Sequence, residues 1–406
     1  MKINLVGYCG ATTGSGIAAK RLFQALKYHA ADLEVNYLTI EPTDFSLRLG
    51  TKFLKSRLKF KQSLLWKLYQ LQGSTNYNAH IFNVFSHGLI DQILFNNPDA
   101  VHLHGIVGEM LSIREIAELA RRVKVVWTLH DCWPFCGSEQ YPLRNSRRFI
   151  DGYTATNRES VGIDFDRRLW QHKWKHWHGL DIAFIAPSRW INAELQKSKL
   201  WRGCHSVVIG NTIDTRTFTP DLRLASRGRL GIPPDGFFLG IGASNLSHPN
   251  KGGVELQQLL DFLYRRDPKH IKLLTVGTGK IRTKLPAWHL GTVDDETTLI
   301  DFYRAGDLFL STSKYDNLPN MIMEAMACGT SVAAFDTGGI ADLIIPGSGL
   351  LIPDFDVQQL GLRILEVFSH NQSCQLGRLA RQAIIDNFSM TTIARKHRTF
   401  YRAIIP

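Results

Sequence analysis

The sequence predicts an α/β fold made of two Rossmann-like, doubly wound halves, and three observations carry that expectation. Short apolar runs at residues 2–8, 100–104, 123–129, 237–242, 271–276 and 307–311 lack polar alternation and read as strands buried on both faces. Helix-patterned stretches separate them, for example 17–26, 112–122, 254–265 and 296–305, which is the grammar of parallel βαβ units. A chain of 406 residues is also long for one core, so two domains of roughly 200 residues each are expected. The expected divisions are 1–205, 206–380 and a closing helical segment, 381–406.

Composition narrows the class. Hydrophobic residues at 44% and charged residues at 21% are ordinary for a soluble globular protein. No apolar run approaches the ~20 residues of a membrane span, and residues 1–10 read as a strand rather than a signal peptide, so a cytoplasmic protein is expected. The six cysteines are scattered, with only Cys132 and Cys136 close together. That excludes a disulfide framework and a four-ligand zinc site, and no metal is expected. The formal net charge is +12. Residues 1–205 hold 27 Lys and Arg against 17 Asp and Glu, whereas 206–406 hold 21 against 19, so the basicity belongs to the first half. Such a field favours nucleic acid, an acidic membrane surface or a phosphorylated substrate.

In chain order, Gly10, Gly14 and Gly16 lie between a strand and a helix, where backbone amides can approach phosphate or sugar. The full dinucleotide fingerprint is not matched, and a tight turn fits equally well. Residues 48–69 carry Arg48, Lys52, Lys55, Arg57, Lys59, Lys61 and Lys67 with no acid, while Leu49, Phe53, Phe60, Leu64 and Leu68 recur near helical spacing. A basic amphipathic helix of this kind can lie on an anionic bilayer or pack, solvated, on its own domain. The strand at 123–129 delivers His130 and Asp131 to the crevice at strand C-termini, where an imidazole can donate to a sugar or phosphate oxygen. His102 and His104 carry a weaker signal of the same kind. Residues 144–168 read as a long loop. Residues 167–178 then mix cations, tryptophans and His172, His176 and His178, a pattern that suits nucleic acid, a membrane interface or metal. Trp170, Trp174 and Trp177 share one helical face, however, so a helix docked by its aromatic stripe is the default.

In the second half, Lys251 precedes Gly252 and Gly253 at the mouth of a helix, placed to pair with a diphosphate. Asp316 and Glu324 stand eight positions apart around a turn at Asn317 and Pro319, and Gly329 sits where a helix C-cap is expected. A helix starting near Pro319 or Asn320 aims free N–H groups at that turn, so the two acids flank an anion site and can accept from sugar hydroxyls. A packing helix gives the same spacing. Two Asp-x-Asp triplets, Asp164/Asp166 and Asp354/Asp356, could suggest a metal-dependent nucleotide-sugar site. The first lies in the expected loop, and Asp356 is a natural N-cap for a helix beginning at Val357, so neither is taken as one.

Together these residues resemble glycosyltransferase family 4 over nearly the whole chain. Residues 316–330 are similar to the family's paired-acid signature, and Gly338 and Gly339 to the glycine pair that follows it. Residues 208–218 are similar to its interdomain passage, and residues 130–139 to a subgroup acting in capsule, lipopolysaccharide or exopolysaccharide assembly. The resemblance implies a GT-B architecture, two Rossmann-like domains facing a cleft, with the acceptor on the first and the nucleotide sugar on the second. By that likeness Glu324 binds the donor's ribose hydroxyls, Asp316 the transferred sugar and Lys251 the diphosphate. His130 contacts the sugar near the reacting carbon, and Gly14 and Gly16 line the cleft. The backbone at Asn317, Leu318 and Asn320 meets sugar hydroxyls, and Gly291 and Val293 approach the nucleobase.

The implied activity is retaining transfer from a nucleotide diphosphate sugar to a hydroxyl of a glycan or lipid-linked acceptor in surface polysaccharide assembly. No cofactor or metal is implied beyond that donor substrate. The expected setting is cytoplasmic, or peripheral on the inner face of a membrane with the basic amphipathic residues 48–69 as the contact. Two departures stand out: Asp316 is one methylene shorter than the family's glutamate, and residues 243–250 lack the arginine that precedes its lysine. The alternatives are a nucleotide-sugar epimerase or phosphorylase of the same fold and, from another class, a basic nucleic-acid-binding protein. Nucleic acid is not the expected partner.

Overall fold

Parallel strands covered on both faces must be apolar along their length, and that constraint builds both halves of the molecule. The structure, a computed structural model, describes residues 1–9 and 13–405. It forms two units, Met1–Thr212 with Ile393–Pro406, and Ile213–Thr392.

The first unit contains β1 (Lys2–Cys9), β2 (Glu34–Glu41), β3 (Leu47–Arg48), β4 (Ala100–His104), β5 (Lys124–Thr128), β6 (Ile182–Ala186) and β7 (Ser206–Val208). They pair in parallel in the order β3-β2-β1-β4-β5-β6-β7. β4 and β6 are buried at every position. The sequence pattern missed β2 because Glu34, Asn36 and Thr39 interrupt its apolar run, yet seven of its residues register with β1. The helix Gly14–His29 packs on β1 and β2 through Ala18, Ala19, Leu22, Phe23 and Leu26. The helix Ile113–Arg122 starts in a capping box, with Ser112 and Glu115 each satisfying the other's backbone N–H.

Two expectations for this unit change. The supposed loop at 144–168 holds a short helix, Arg148–Asp151, and the start of the helix Phe165–Trp177. Asp164 is the N-cap of the latter: its carboxylate accepts from Arg167 N at 3.0 Å and pairs with Arg148 at 2.7 Å, with both side chains buried. The tryptophan helix docks as expected, with Trp170 and Trp177 buried and Trp174 packed beside them.

The second unit contains β8 (Phe237–Asn245), β9 (Ile271–Thr278), β10 (Ala287–His289), β11 (Leu308–Ser311), β12 (Ser331–Phe335) and β13 (Gly349–Ile352). Their order is β10-β9-β8-β11-β12-β13, again all parallel. One apolar core fills each face, one around Phe302, Met323 and Ile384 and the other around Leu239, Leu259 and Ile364. Each fully buried Met or Ile here contributes about 1.5–3 kcal/mol.

In both sheets the strand order reverses at one point, between β1 and β4 in the first and between β8 and β11 in the second. The crevice beyond the strand C-termini at such a point is where open α/β sheets bind ligands.

Candidate functional site

In the second unit the switch point brings together residues 65 positions apart. Lys251 follows β8 and Asp316 follows β11, and because those strands are hydrogen-bonded neighbours the side chains meet, Nζ to Oδ2 at 3.3 Å. Ser313 Oγ lies 3.5 Å from the same ammonium. The backbone beneath is tightly tied: Thr312 Oγ1 donates to the Lys251 carbonyl at 2.7 Å, and Lys314 N to the Asn250 carbonyl at 2.8 Å. Gly252 has φ +67°, and a Cβ there would sit 2.0 Å from the Thr312 carbonyl oxygen.

The helix Asn320–Ala327 begins immediately after the Asp316 turn, with Pro319 at its N-cap and no side chain capping its first N–H groups. Its N-terminus is the positive end of the helix dipole and follows directly on the turn that holds Asp316. Ile322, Met323, Ala325, Met326 and Ala327 bury its inner face, and Gly329 follows its C-terminus at φ +76°. Glu324 is 4% exposed, and its Oε2 accepts from the Tyr303 hydroxyl at 2.6 Å. Tyr303 stands on the helix Glu296–Ala305 and carried no recognisable sequence signal. Gly338 explains the glycine pair: its φ is +57°, and a Cβ would fall 1.8 Å from the Asp316 carbonyl oxygen, while Gly339 N donates to that same oxygen at 3.0 Å. The two glycines thus shape the Asp316 turn. Asn317 and Leu318 are buried within it, and Asn320 is partly exposed at the helix start. Gly291 has φ +69° with open space around its α-carbon, and its carbonyl accepts from Gly277 N at 2.7 Å. Val293 packs at the edge of the core.

In the first unit Gly14 opens the helix Gly14–His29, and Gly16 N donates to the Thr13 side chain at 3.1 Å. The remainder of that turn, residues 10–12, lies outside the described residues. His130 sits just past β5. Its Nε2 is 3.1 Å from His104 Nδ1, and burial pushes its pKa down to about 4, which makes it a neutral imidazole at pH 7. His104 is itself held well below the usual histidine range by burial and the neighbouring imidazoles, and among the described residues its buried Nε2 has no hydrogen-bond partner. A small cavity lined by His104, His130, Thr128, Asn211, Thr212 and His397 adjoins it. Behind these, His102 is held by Tyr401 on one nitrogen and Thr128 on the other, both at 2.7 Å.

Asp131 serves the loop rather than the crevice: its carboxylate accepts from Trp133 N and Gln140 Nε2, each at 3.0 Å. Sequence reasoning also missed Lys173. This fully buried lysine donates to the carbonyls of Trp133, Cys136 and Gly137 and lies 4.0 Å from the Trp133 ring centroid. Burial draws its pKa down to about 7, while three carbonyls call for three N–H donors, which only the ammonium has. The available signal was its spacing, since Trp170, Lys173 and Trp177 fall on one helical face. Among the described residues no group of three His, Cys, Asp or Glu side chains is arranged to hold a metal, and no helix is long and apolar enough to cross a membrane.

Two parallel sheets of Rossmann type, one carrying a lysine and an acid at its switch point ahead of a helix N-terminus, define a class of two-unit proteins suited to phosphorylated ligands. Comparison with known proteins makes the class particular. Residues 70–217 match the family model described as Glycosyltransferase Family 4, and residues 240–370 match Glycosyl transferases group 1. The chain thus carries a glycosyltransferase family 4 domain and a glycosyl transferases group 1 domain, with one model over most of each unit, and its fold is GT-B.

D-inositol 3-phosphate glycosyltransferase of Saccharomonospora viridis is 31% identical over 166 residues, 36% of this chain and 38% of the relative. Mannosylfructose-phosphate synthase of Agrobacterium fabrum is 35% identical over 108 residues, 26% of this chain and 24% of that one. The chain thus spans about two fifths or less of the curated relatives it matches. Among solved structures, sucrose-phosphate synthase from Thermosynechococcus elongatus aligns at TM-score 0.66 and 17% identity, covering 100% of this chain and 99% of that one. Anabaena HepE, solved in complex with UDP-glucose, aligns at 0.63 and 17% with full coverage of both.

Proposed function

We propose that the protein is a retaining glycosyltransferase that moves a sugar from a nucleotide diphosphate sugar to a hydroxyl of a glycan or lipid-linked glycan. The observation that supports this reading best is the meeting of Lys251 and Asp316 beside the start of the helix that carries Glu324. A diphosphate finds there an ammonium and the positive end of a helix dipole, and ribose and sugar hydroxyls find two carboxylates. The solved complex of Anabaena HepE with UDP-glucose supports a donor of this chemistry.

In the reaction the bond between the sugar C1 and the diphosphate oxygen breaks, and its electron pair stays on the phosphate. The acceptor oxygen bonds C1, and its proton passes to the departing phosphate. Lys251 and the helix N-terminus stabilise the leaving group, so the step needs no bound metal. Neutral His130 can offer one N–H to a sugar oxygen. The likeness of residues 130–139 to surface-polysaccharide enzymes is the ground for placing the acceptor in that class.

Donor turnover by Glu324→Ala and Lys251→Ala tests the site. A loss of about 10²–10³ in kcat for Lys251→Ala is expected from removal of one charge-stabilising donor. Wild-type rates in both variants would sink the assignment. Incubation without acceptor separates transfer from its rival, since epimerised or phosphorolysed sugar would assign the chain to that chemistry.

A further inference from the structure

The helix Leu54–Tyr69 carries a stripe of exposed apolar side chains on its solvent side. Phe53 and Phe60 are 74% and 73% exposed, and Leu64 and Leu68 are exposed as well. At 100° per residue these four fall within roughly 80° of arc, a single stripe along the helix. The face that holds the helix to its unit is a different one, formed by Leu54, Leu58 and Tyr69. Arg57 lies within the stripe and Lys67 on its flank, with Lys52 and Lys59 further round. No acid occurs between residues 45 and 90. Among the described residues only Lys55 of this basic set has an ion-pair partner, Glu41 at 2.8 Å.

A helix meant for water turns its charges outward and its phenylalanines inward. This one turns both outward, so its outer surface matches an environment that is apolar in depth and anionic at the rim.

We propose that this helix docks the protein on an anionic lipid bilayer. Phe53, Phe60, Leu64 and Leu68 enter the acyl boundary, and Arg57, Lys52, Lys59 and Lys67 reach back to phosphate headgroups along their aliphatic stems. The helix lies in the interface plane, since at 16 residues with many charges it does not span. Docking requires neither donor nor acceptor, so its test and that of the transferase reading fail separately. If both hold, the lipid-linked form of acceptor is the one presented at this surface.

The experiment is flotation of the full chain with vesicles of phosphatidylcholine alone or with about one third phosphatidylglycerol. The protein is expected to float with the anionic vesicles only, and to be released by high salt. Neutralising Lys52, Lys59 and Lys67 to Gln lowers the partition coefficient about a hundredfold, from about fivefold per cation. The variant Phe53→Ser/Phe60→Ser/Leu64→Ser stays unbound while keeping the wild-type melting temperature, because its sites are already exposed. Flotation that survives the serine variant overturns the proposal. So does equal binding to neutral vesicles, a wild-type dimer in sedimentation that the serine variant abolishes, or generic RNA bound in preference to lipid.

Discussion

Replacing Tyr303 with Phe removes one hydroxyl and leaves the ring. The hydroxyl donates to Glu324 Oε2 at 2.6 Å, with both side chains almost fully buried. A hydrogen bond to a charged group is worth about 1.5–3 kcal/mol, and here its loss also strips a buried carboxylate of a donor. At about 2–4 °C per kcal/mol for a domain of 150–250 residues, the melting temperature should fall by about 3–12 °C. The second effect is functional. Without its tether the carboxylate loses orientation, and affinity for a nucleoside diphosphate should weaken about five- to tenfold. Calorimetric titration with the best nucleotide from a thermal-shift screen measures that, with Glu324→Gln as companion. If both variants melt earlier yet bind nucleotide within twofold of wild type, Glu324 is a packing residue and the ribose assignment is wrong.

Gly338→Ala should abolish nucleotide binding while leaving the first unit's fold intact. A Cβ cannot share space with the Asp316 carbonyl, so the turn must move, and limited proteolysis with titration would show it. Stability should fall as pH drops from 7 towards 4. His130 and His397 are held near 4 when folded, whereas unfolded imidazoles titrate near 6.5, so unfolding takes up about two protons at pH 5 from these two alone. Burial raises the carboxyls of Asp131 and Glu139 to about 6 and about 8, which opposes this slope, so the check is that His397→Gln reduces it; an unchanged slope would show that this imidazole is not buried neutral. Lys173→Met should cost several kcal/mol, because three buried carbonyls lose their donor together, and should impair turnover more than nucleotide affinity. Unchanged stability would mean that the loop after His130 is held by other contacts.

Much of this fold is readable because buried parallel strands leave unbroken apolar runs, as β4 and β6 do. β2 escaped because its outer half is polar, and the helix start at Phe165 because Asp164 looks like loop until its capping bond is known. At the site, Lys251, Asp316 and Glu324 stand out through local turn and helix chemistry. Tyr303 does not, since nothing in a sequence says which of many tyrosines will meet a given carboxylate on a neighbouring helix. Lys173 was hidden by its charge: a lysine on an aromatic face reads as solvated until the three carbonyls it caps are in view.

The Lys251 and Asp316 pair has one more implication. Lys251 and Asp316 balance each other's charge, so binding of a diphosphate there would be an exchange of partners. A diphosphate that draws the ammonium away leaves the carboxylate without its cation, and only then is it free to take hydrogen bonds from a sugar. Recognition at this switch point would then run in sequence, phosphate first and sugar second. A free monosaccharide, which brings no phosphate, would meet an acid still held by its lysine.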